Sequence, residues 1–292
     1  MQLFSRTPTA FLTTCLTTCL TTCLLGACSG EAPFDDSTDE VGDGDATGDI
    51  DTTGDGDGSA GILCAGDCTT PNCGPCPEGP VAVTFVGYAI DSTEVTNGQY
   101  AQFLDVAFEP TYLAELLPVS CESKADFTPD EWPVDPVANI PVGGVDWCDA
   151  AAYCAWSGKR LCGAVGGGPA GLSEVTNPST NEWYRACTSA GVNNYPYGLS
   201  YVGIACNTLD AGYGQRVEVG SLSDCEGGFA GCFDMSGNVW EWTNACTRAG
   251  ECQRRGGSYA SDEATSRCAI DSVRPREFRS SNTGFRCCAS KG

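Results

Sequence analysis

The sequence predicts an irregular α+β fold that is low in regular secondary structure and rich in disulfide bonds. The first observation is a run of β-branched and aromatic residues at 81–90, which is typical of a strand. The second is a pair of short segments, 97–104 and 146–156, whose large side chains recur at helical spacing. The third is a composition of 21 cysteines and 37 glycines, which favours loops joined by disulfides in an oxidising compartment.

Both predicted helices have residues at their ends that favour helix initiation or termination. Thr96 or Asn97 is placed to cap the first helix, because a short polar side chain there accepts a hydrogen bond from a free backbone N–H. The second helix is expected from Asp146 to Trp156, and Gly158 follows it as a termination signal.

Composition excludes several classes of function. The chain has no histidine, so it cannot build a Ser-His-Asp triad, a Cys-His dyad, a mixed Cys/His zinc site or a two-histidine iron site. The net charge of −23 excludes a nucleic-acid partner, because there is no basic stripe to replace the counterions of phosphates.

The N-terminus predicts export and lipid anchoring. Residues 1–27 read as a signal peptide, and the segment ending Leu25-Gly-Ala-Cys28 resembles a bacterial lipobox, so Cys28 is the expected lipidation site. The segment is too short and too rich in threonine for a membrane-spanning helix. A lipid-modified Cys28 would attach the chain to a membrane. Ser29 after the lipid site favours the outer membrane.

Two short regions separate this signal from the main domain. Residues 28–62 form an acidic tether: eleven acidic and no basic residues lie within 31–60, which favours a solvated spacer over a pair of incomplete EF-hand-like calcium loops. Residues 63–80 form a collar with four cysteines, at 64, 68, 73 and 76. Two disulfides are favoured there over a four-thiolate zinc site.

The remaining segment, 81–292, contains an ordered series of short motifs that resembles the formylglycine-generating enzyme family, also called sulfatase-modifying factors. The motifs are STEVTNGQYAQFL (92–104), PVGGVDWCDAAAYCAWSGKRL (141–161), NEWYRAC (181–187), YPYG (195–198), GCFDMSGNVWEWT (231–243), RRGGSY (254–259) and TGFRCC (283–288). The combination of GNVWEW, RGGS and a terminal GFR is specific to this family. The resemblance implies an irregular α+β fold of the C-type-lectin-like kind.

The resemblance also implies two disulfides, Cys154 with Cys287 and Cys187 with Cys268. Two local bridges, Cys225 with Cys232 and Cys246 with Cys252, are plausible from their spacing, although the sequence does not settle the connectivity. Seventeen cysteines follow Cys28, so one is left over.

The family holds structural calcium at the turn before the WEW motif. The resemblance implies that Asp234 and Glu241 supply side-chain oxygens, and Gly237 and Val239 main-chain oxygens, which are the hard ligands that calcium prefers. A second family site begins at an asparagine whose match is Asn207, with Thr208 beside it and Asp210 as a further candidate.

The catalytic positions of the family are altered. The enzyme uses two cysteines after its GGSY segment to bind copper(I) and oxidise a substrate cysteine to formylglycine. The matching residues are Ser261 and Ser266, and Asp262 and Glu263 lie beside the first. A serine hydroxyl is a poor ligand for copper(I), so copper is not expected as a cofactor.

The sequence therefore favours a surface lipoprotein whose domain is a binding or structural module without catalytic residues. A protein or glycan ligand is expected at the loops of residues 259–283, by analogy with C-type-lectin-like folds. Polar side chains there that suit a ligand surface are those of Ser261, Asp262, Glu263, Asp271, Arg274, Arg276 and Arg279. The alternative is enzymatic: a copper-dependent formylglycine-generating oxidase, or another chemistry on the same scaffold.

Overall fold

The computed structural model describes residues 62–130, 132 and 138–291. The predicted signal peptide, Cys28 and residues 28–61 of the tether lie outside the described residues. The helices are α1 Asn97–Leu104, α2 Pro110–Leu116, α3 Trp147–Trp156 and α4 Glu182–Cys187. The strands are β1 Ala82–Thr84, β2 Tyr88–Asp91, β3 Arg160–Leu161, β4 Trp240–Cys246, β5 Glu251–Arg255, β6 Asp271–Pro275, β7 Thr283–Phe285 and β8 Cys287–Ser290. No helix of this described part is long and apolar enough to cross a membrane.

The two predicted helices form; Thr96 caps the first as expected, and Asp146, expected as the first residue of the second, is its N-cap. Thr96 and Gln99 make a reciprocal capping box at the start of α1, and Asp146 and Asp149 make the same arrangement at the start of α3. The predicted strand at 81–90 is divided into β1 and β2, an antiparallel pair joined by a turn at residues 85–87. Gly87 has φ +90°, which the turn requires and which a residue with a side chain rarely adopts.

The strands form two four-stranded sheets. The first has the order β1-β2-β8-β3 and is antiparallel, so the C-terminal strand lies between elements from the first half of the domain. The second has the order β6-β5-β4-β7, with β4 and β7 parallel. In this second sheet Glu241 lies opposite Gly284, which places Arg286 just beyond the end of β7.

Aromatic side chains from both helices and from β7 form the larger core. The rings of Tyr100 and Tyr153 are stacked with centroids 5.6 Å apart, and Phe103, Trp156 and Phe285 pack around them edge-on or tilted. Aromatic pairs in these geometries stabilise a core beyond the area that they bury. A second, smaller cluster of buried side chains includes Phe85, Tyr88, Trp183 and Met235.

The predicted collar packs on the domain. Its cysteines form two disulfides, Cys64–Cys73 and Cys68–Cys76, as the composition favoured over zinc. The Cys68 N–H donates to the Trp156 carbonyl (2.8 Å), and the indole N–H of Trp156 donates to the Cys73 carbonyl (2.8 Å). Trp156 thus connects the collar to the end of α3.

Disulfides join distant parts of the described chain. Cys154 bonds to Cys287 and Cys187 bonds to Cys268, which are the pairs that the resemblance implies. The other disulfides of the described domain are Cys121–Cys148, Cys162–Cys288, Cys206–Cys225 and Cys246–Cys252. Cys287 and Cys288 are adjacent in β8 and therefore point to opposite faces of its sheet, each toward a different partner. With eight such bonds, the chain is a protein of an oxidising, extracytoplasmic compartment.

The expected Cys225–Cys232 bridge is wrong. Cys225 bonds to Cys206, and Cys232 is a buried free thiol, the leftover cysteine. The physical reason is that Cys232 belongs to the second core cluster, with Tyr88 and Ile90, whereas Cys225 ends a 3-10 turn beside Cys206.

Candidate functional site

The turn before β4 adopts an unusual backbone that brings two predicted calcium segments together. Asp234 and Asn238 have φ +60° and +54°, and Gly237 has φ +80°. The Asn238 N–H donates to the Asn207 carbonyl (2.8 Å). A Cβ atom on Gly237 would lie 2.2 Å from that same carbonyl oxygen, so only glycine fits this contact.

Asn207 contacts this turn through its main-chain carbonyl and its side-chain amide nitrogen. Its amide nitrogen donates to the Gln215 carbonyl (2.9 Å) and to Oδ1 of Asn238 (3.0 Å). Its Oδ1 is buried and has no hydrogen-bond donor among the described residues, which suits an oxygen that ligates a cation. The neighbouring Thr208 hydroxyl donates to the Gly203 carbonyl (3.0 Å), and Asp210 is exposed.

Glu241 is engaged by protein groups. Its Oε2 accepts from Nε of Arg286 (2.8 Å) and from the indole N–H of Trp183 (2.7 Å), and its Oε1 accepts from Nη2 of Arg286 (2.8 Å). All three side chains are buried. Because the guanidinium already neutralises this carboxylate, Glu241 has no uncompensated charge to offer a metal ion.

A buried carboxylate that the sequence analysis missed lies near the same turn. Glu94 is fully buried, and neither of its carboxylate oxygens has a hydrogen-bond donor among the described residues. Burial raises its pKa well above the usual range, and the Asp234 carboxylate raises it further. Burial also raises the pKa of Asp234 to about 6, although the Gly220 N–H donates to its Oδ2 (2.6 Å). In the sequence this glutamate stands next to Val95 in the segment between the predicted strand and the first helix, which does not by itself indicate burial.

The donors near the turn are suited to calcium and not to copper. They are amide, carboxylate and carbonyl oxygens, which hard cations prefer. In the described ranges, no group of three or more Cys, His, Asp or Glu side chains is arranged to hold a metal ion. A cation here would therefore depend on Asn207, Asp234 and Glu94 together with main-chain oxygens such as those of Gly237 and Val239.

The two altered catalytic positions lie in a compact loop. Ser261 is 6% exposed and its Oγ accepts from the Ser258 N–H (2.9 Å). Ser266 is fully buried and its Oγ donates to the Asp262 carbonyl (2.7 Å). Both hydroxyls therefore take part in hydrogen bonds that stabilise the loop, and the two serines do not line an open groove.

The described part of the domain offers no pair of thiols near that loop. Cys268, two residues after Ser266, is bonded to Cys187. Among residues 62–130, 132 and 138–291, Cys232 is the one cysteine outside a disulfide, and burial raises its pKa to about 11. A thiol in that state is protonated and inaccessible at neutral pH.

The predicted ligand surface at residues 259–283 is partly used for internal contacts. Arg279 forms ion pairs with Asp149 (2.7 Å) and Asp146 (3.3 Å). Arg276 donates to the Ser120 carbonyl (3.2 Å) and lies over the ring of Trp147. The charged residues of this segment that stay exposed are Asp262, Glu263, Arg267, Asp271, Arg274 and Glu277.

Comparison with known proteins identifies relatives of two kinds. The chain is 29% identical over 185 residues to the formylglycine-generating enzyme of Mus musculus, covering 52% of this chain and 45% of that protein. It is 31% identical over 170 residues to the inactive C-alpha-formylglycine-generating enzyme 2 of the same organism (52% and 50% covered), and 28% identical over 261 residues to that of Bos taurus (74% and 81%). The alignments with the two mouse proteins thus span about half of their length.

Among solved structures, CarF is 23% identical with a TM-score of 0.45, covering 70% of this chain and 87% of that one. PvdO from Pseudomonas aeruginosa is 21% identical with a TM-score of 0.46, covering 70% and 80%. The family of sulfatase-modifying factor enzyme 1-like domains (FGE-sulfatase) matches residues 62–291, which include the collar and the whole described domain. The observed α+β architecture with few helices agrees with that match, and the chain belongs to this family.

Proposed function

We propose that this domain does not oxidise cysteine and serves as a binding or structural module of an exported protein. The observation that carries the proposal is the state of the two catalytic positions, Ser261 and Ser266, whose hydroxyls are hydrogen-bonded within their own loop. Copper(I) requires soft thiolate ligands, and serine oxygen is a hard ligand that stays protonated at neutral pH.

The absence of a substitute thiol pair in the described part of the chain supports the same proposal. Cys232 lies in a core cluster with Tyr88 and Met235, remote from solvent, and the cysteine nearest to Ser266 is bonded to Cys187. The comparison with the inactive mouse relative is consistent with such a loss, since that protein carries the word inactive in its name.

A gain-of-function variant tests whether the two serines are the cause. Ser261→Cys/Ser266→Cys is expected to bind copper(I), supplied as a copper(I) complex without a thiol reductant so that the disulfides stay intact, because it restores two thiols at the family's spacing. The matched control is Ser200→Cys/Ser221→Cys, which adds two thiols at exposed positions. Copper(I) bound equally by both variants would contradict a specific role of positions 261 and 266, and oxidation of a cysteine peptide by the unmodified protein would support the oxidase alternative.

Anchoring is the second part of the proposal. The disulfides support an exported protein, and the Leu-Gly-Ala-Cys28 segment supports lipid attachment at Cys28. Ser29 after that cysteine supports the outer membrane as its location. The test is expression of Cys28→Ser in a bacterial host: the variant is expected in the soluble periplasmic fraction, and the unmodified protein in the membrane fraction. Equal membrane recovery of both would contradict lipid attachment.

A ligand at the 259–283 loops is supported by the exposed charges that remain there. Two of them, Asp262 and Glu263, lie within the altered catalytic loop, between Ser261 and Ser266. The chemistry suits a polar protein or glycan surface through hydrogen bonds and charge. Binding of the purified protein to a glycan and peptide array tests this. A binding module is expected to bind a ligand saturably, with a lower affinity in the Asp262→Asn/Glu263→Gln variant. A purely structural domain is expected to bind no ligand on the array.

Calcium is proposed as a structural cofactor of the turn at residues 234–241. The support is the buried, unpartnered Oδ1 of Asn207, a residue whose main-chain carbonyl accepts a hydrogen bond from that turn. Removal of calcium with a chelator is expected to lower the melting temperature of the protein. An identical melting temperature with and without the chelator would contradict this proposal.

A further inference from the structure

The edge strand β1 leaves one side of its backbone unpaired. The Phe85 N–H, directly after the strand, donates to the Tyr88 carbonyl of β2 (2.8 Å). Because residues of an antiparallel pair alternate between hydrogen-bonded and non-hydrogen-bonded positions, the backbone groups of Ala82 and Thr84 face away from β2. In the described part of the chain β2 is the only strand that pairs with β1, so these groups lie at the edge of the sheet. A free edge of this kind can accept a further strand.

A groove with apolar walls borders this edge. Its first part is a cavity of about 570 Å³ between β1 and residues 230–233. Its second part is a cavity of about 660 Å³ at the turn after β1, and Thr84 lines both parts. In the second cavity the rings of Phe85 and Phe229 pack edge to face with centroids 4.5 Å apart, and Val86 is 86% exposed. The groove therefore offers a backbone edge together with apolar contact area.

Two cations without a carboxylate partner line the second cavity. They are Arg185 and Lys291, and no lining residue of this cavity is acidic. Among the described residues, neither side chain forms an ion pair. The Nε of Arg185 is buried without an acceptor in the described chain, and its Nη1 makes only a long hydrogen bond to the Pro178 carbonyl (3.4 Å). In a protein with 38 acidic and 15 basic residues, two unpaired cations beside an apolar wall are suited to an anionic ligand with an apolar body.

We propose that this groove binds the C-terminal end of a partner polypeptide, which adds to β1 as a further strand. Main-chain hydrogen bonds to the free edge hold the peptide in an extended conformation. Its last side chain, aromatic or large and aliphatic, contacts Phe85 and Phe229. Its α-carboxylate is bound by Arg185 and Lys291 through charge-assisted hydrogen bonds.

The position of the cations favours a chain terminus as the source of the carboxylate. The main chain turns back at residues 85–87, so a strand paired with β1 has no further edge to follow beyond this turn. Arg185 and Lys291 lie at that end of the groove, next to the turn. This site lies outside the loops of residues 259–283 and is independent of the ligand proposed there.

A library of hexapeptides with free C-terminal carboxylates tests the proposal on the purified protein with its disulfides intact. Peptides that end in an aromatic or large aliphatic residue are expected to bind saturably. The same peptides as C-terminal amides are expected to bind at least about tenfold more weakly, because they lack the terminal charge. Binding of no free-acid peptide, or equal binding of acids and amides, would overturn the proposal.

Variants of the groove test the two halves of the site separately. Arg185→Gln and Lys291→Gln each remove one cation and are expected to weaken binding of the best free-acid peptide by about tenfold. Thr84→Pro removes an N–H from the free edge, where proline is compatible with the strand, and is expected to weaken binding of that peptide by a similar factor. The matched control is Arg248→Gln, which removes an exposed arginine that lines neither cavity and is expected to bind as the unmodified protein does.

Thermal melts accompany each binding measurement, so that a loss of binding is separated from a loss of fold. Unchanged binding in the double variant Arg185→Gln/Lys291→Gln would overturn the carboxylate site. Unchanged binding in a Thr84→Pro variant that melts as the unmodified protein does would overturn strand addition to β1.

Discussion

Arg286 and Glu241 form a buried ion pair with two hydrogen bonds of 2.8 Å, from Nε to Oε2 and from Nη2 to Oε1. The pair joins the residue after β7 to the second residue of β4, so it connects the GFR and WEW motifs in space. Its guanidinium also donates to carbonyls of Asp91 and Phe233. The two motifs that indicate the family are therefore two halves of one structural contact.

Loss of one partner of this ion pair is expected to be strongly destabilising. Arg286→Met should lower the free energy of unfolding by about 3–5 kcal/mol, because it leaves the Glu241 carboxylate buried without a countercharge. Chemical denaturation without reductant measures the change. The control is Arg274→Met at an exposed arginine, expected to cost less than about 0.5 kcal/mol. Equal effects of the two variants would contradict the structural role.

The close contact of Gly237 with Asn207 predicts that substitution of this glycine destabilises the fold. Gly237→Ala should be more destabilising than Gly166→Ala, although both residues have positive φ, +80° and +94°. The left-handed backbone alone costs an alanine about 1–2 kcal/mol, and only at Gly237 does the new methyl group also meet a carbonyl oxygen at 2.2 Å. Thermal melts of both variants compare them, and similar melting temperatures would contradict the packing.

Cys232 is expected to be unreactive in the folded protein. Its thiol is buried, and a pKa of about 11 leaves only about one thiolate in a thousand at pH 8. Alkylation by iodoacetamide, followed by mass spectrometry of the peptide that contains Cys232, should show modification only after unfolding without reductant. A disulfide-linked peptide that joins Cys225 to Cys232 would contradict the connectivity.

The sequence predicted local features more completely than long-range ones. Helices α1 and α3 could be predicted because Thr96 and Asp146 form their capping boxes with residues three positions away. Cys232 was assigned to the wrong partner because spacing does not show that Cys206 lies next to Cys225. The hydrogen bond from the Phe233 N–H to the Ser92 carbonyl could not be predicted either, since it joins segments that lie far apart in the chain.

In the altered catalytic loop, too, the sequence shows the local change but not the contacts that depend on the fold. The substitution at Ser261 and Ser266 is visible in the sequence, but their burial is not, because it depends on hydrogen bonds with Ser258 and Asp262 in the folded loop. The sequence predicts a polar ligand surface at residues 259–283, but Arg276 and Arg279 of that set make internal contacts. Arg279 is engaged by carboxylates at the start of α3, about 130 residues earlier in the chain.

Copper(I) titration of the unmodified protein, combined with an oxidase assay on a cysteine-containing sulfatase peptide, tests the central claim most directly. The state of Ser261 and Ser266 predicts no stoichiometric copper(I) binding in a competition assay with a copper(I) chelator. It also predicts no conversion of the peptide cysteine to formylglycine by mass spectrometry. Formation of formylglycine by copper-loaded protein would show that the domain is an oxidase and would contradict the proposed loss of catalysis.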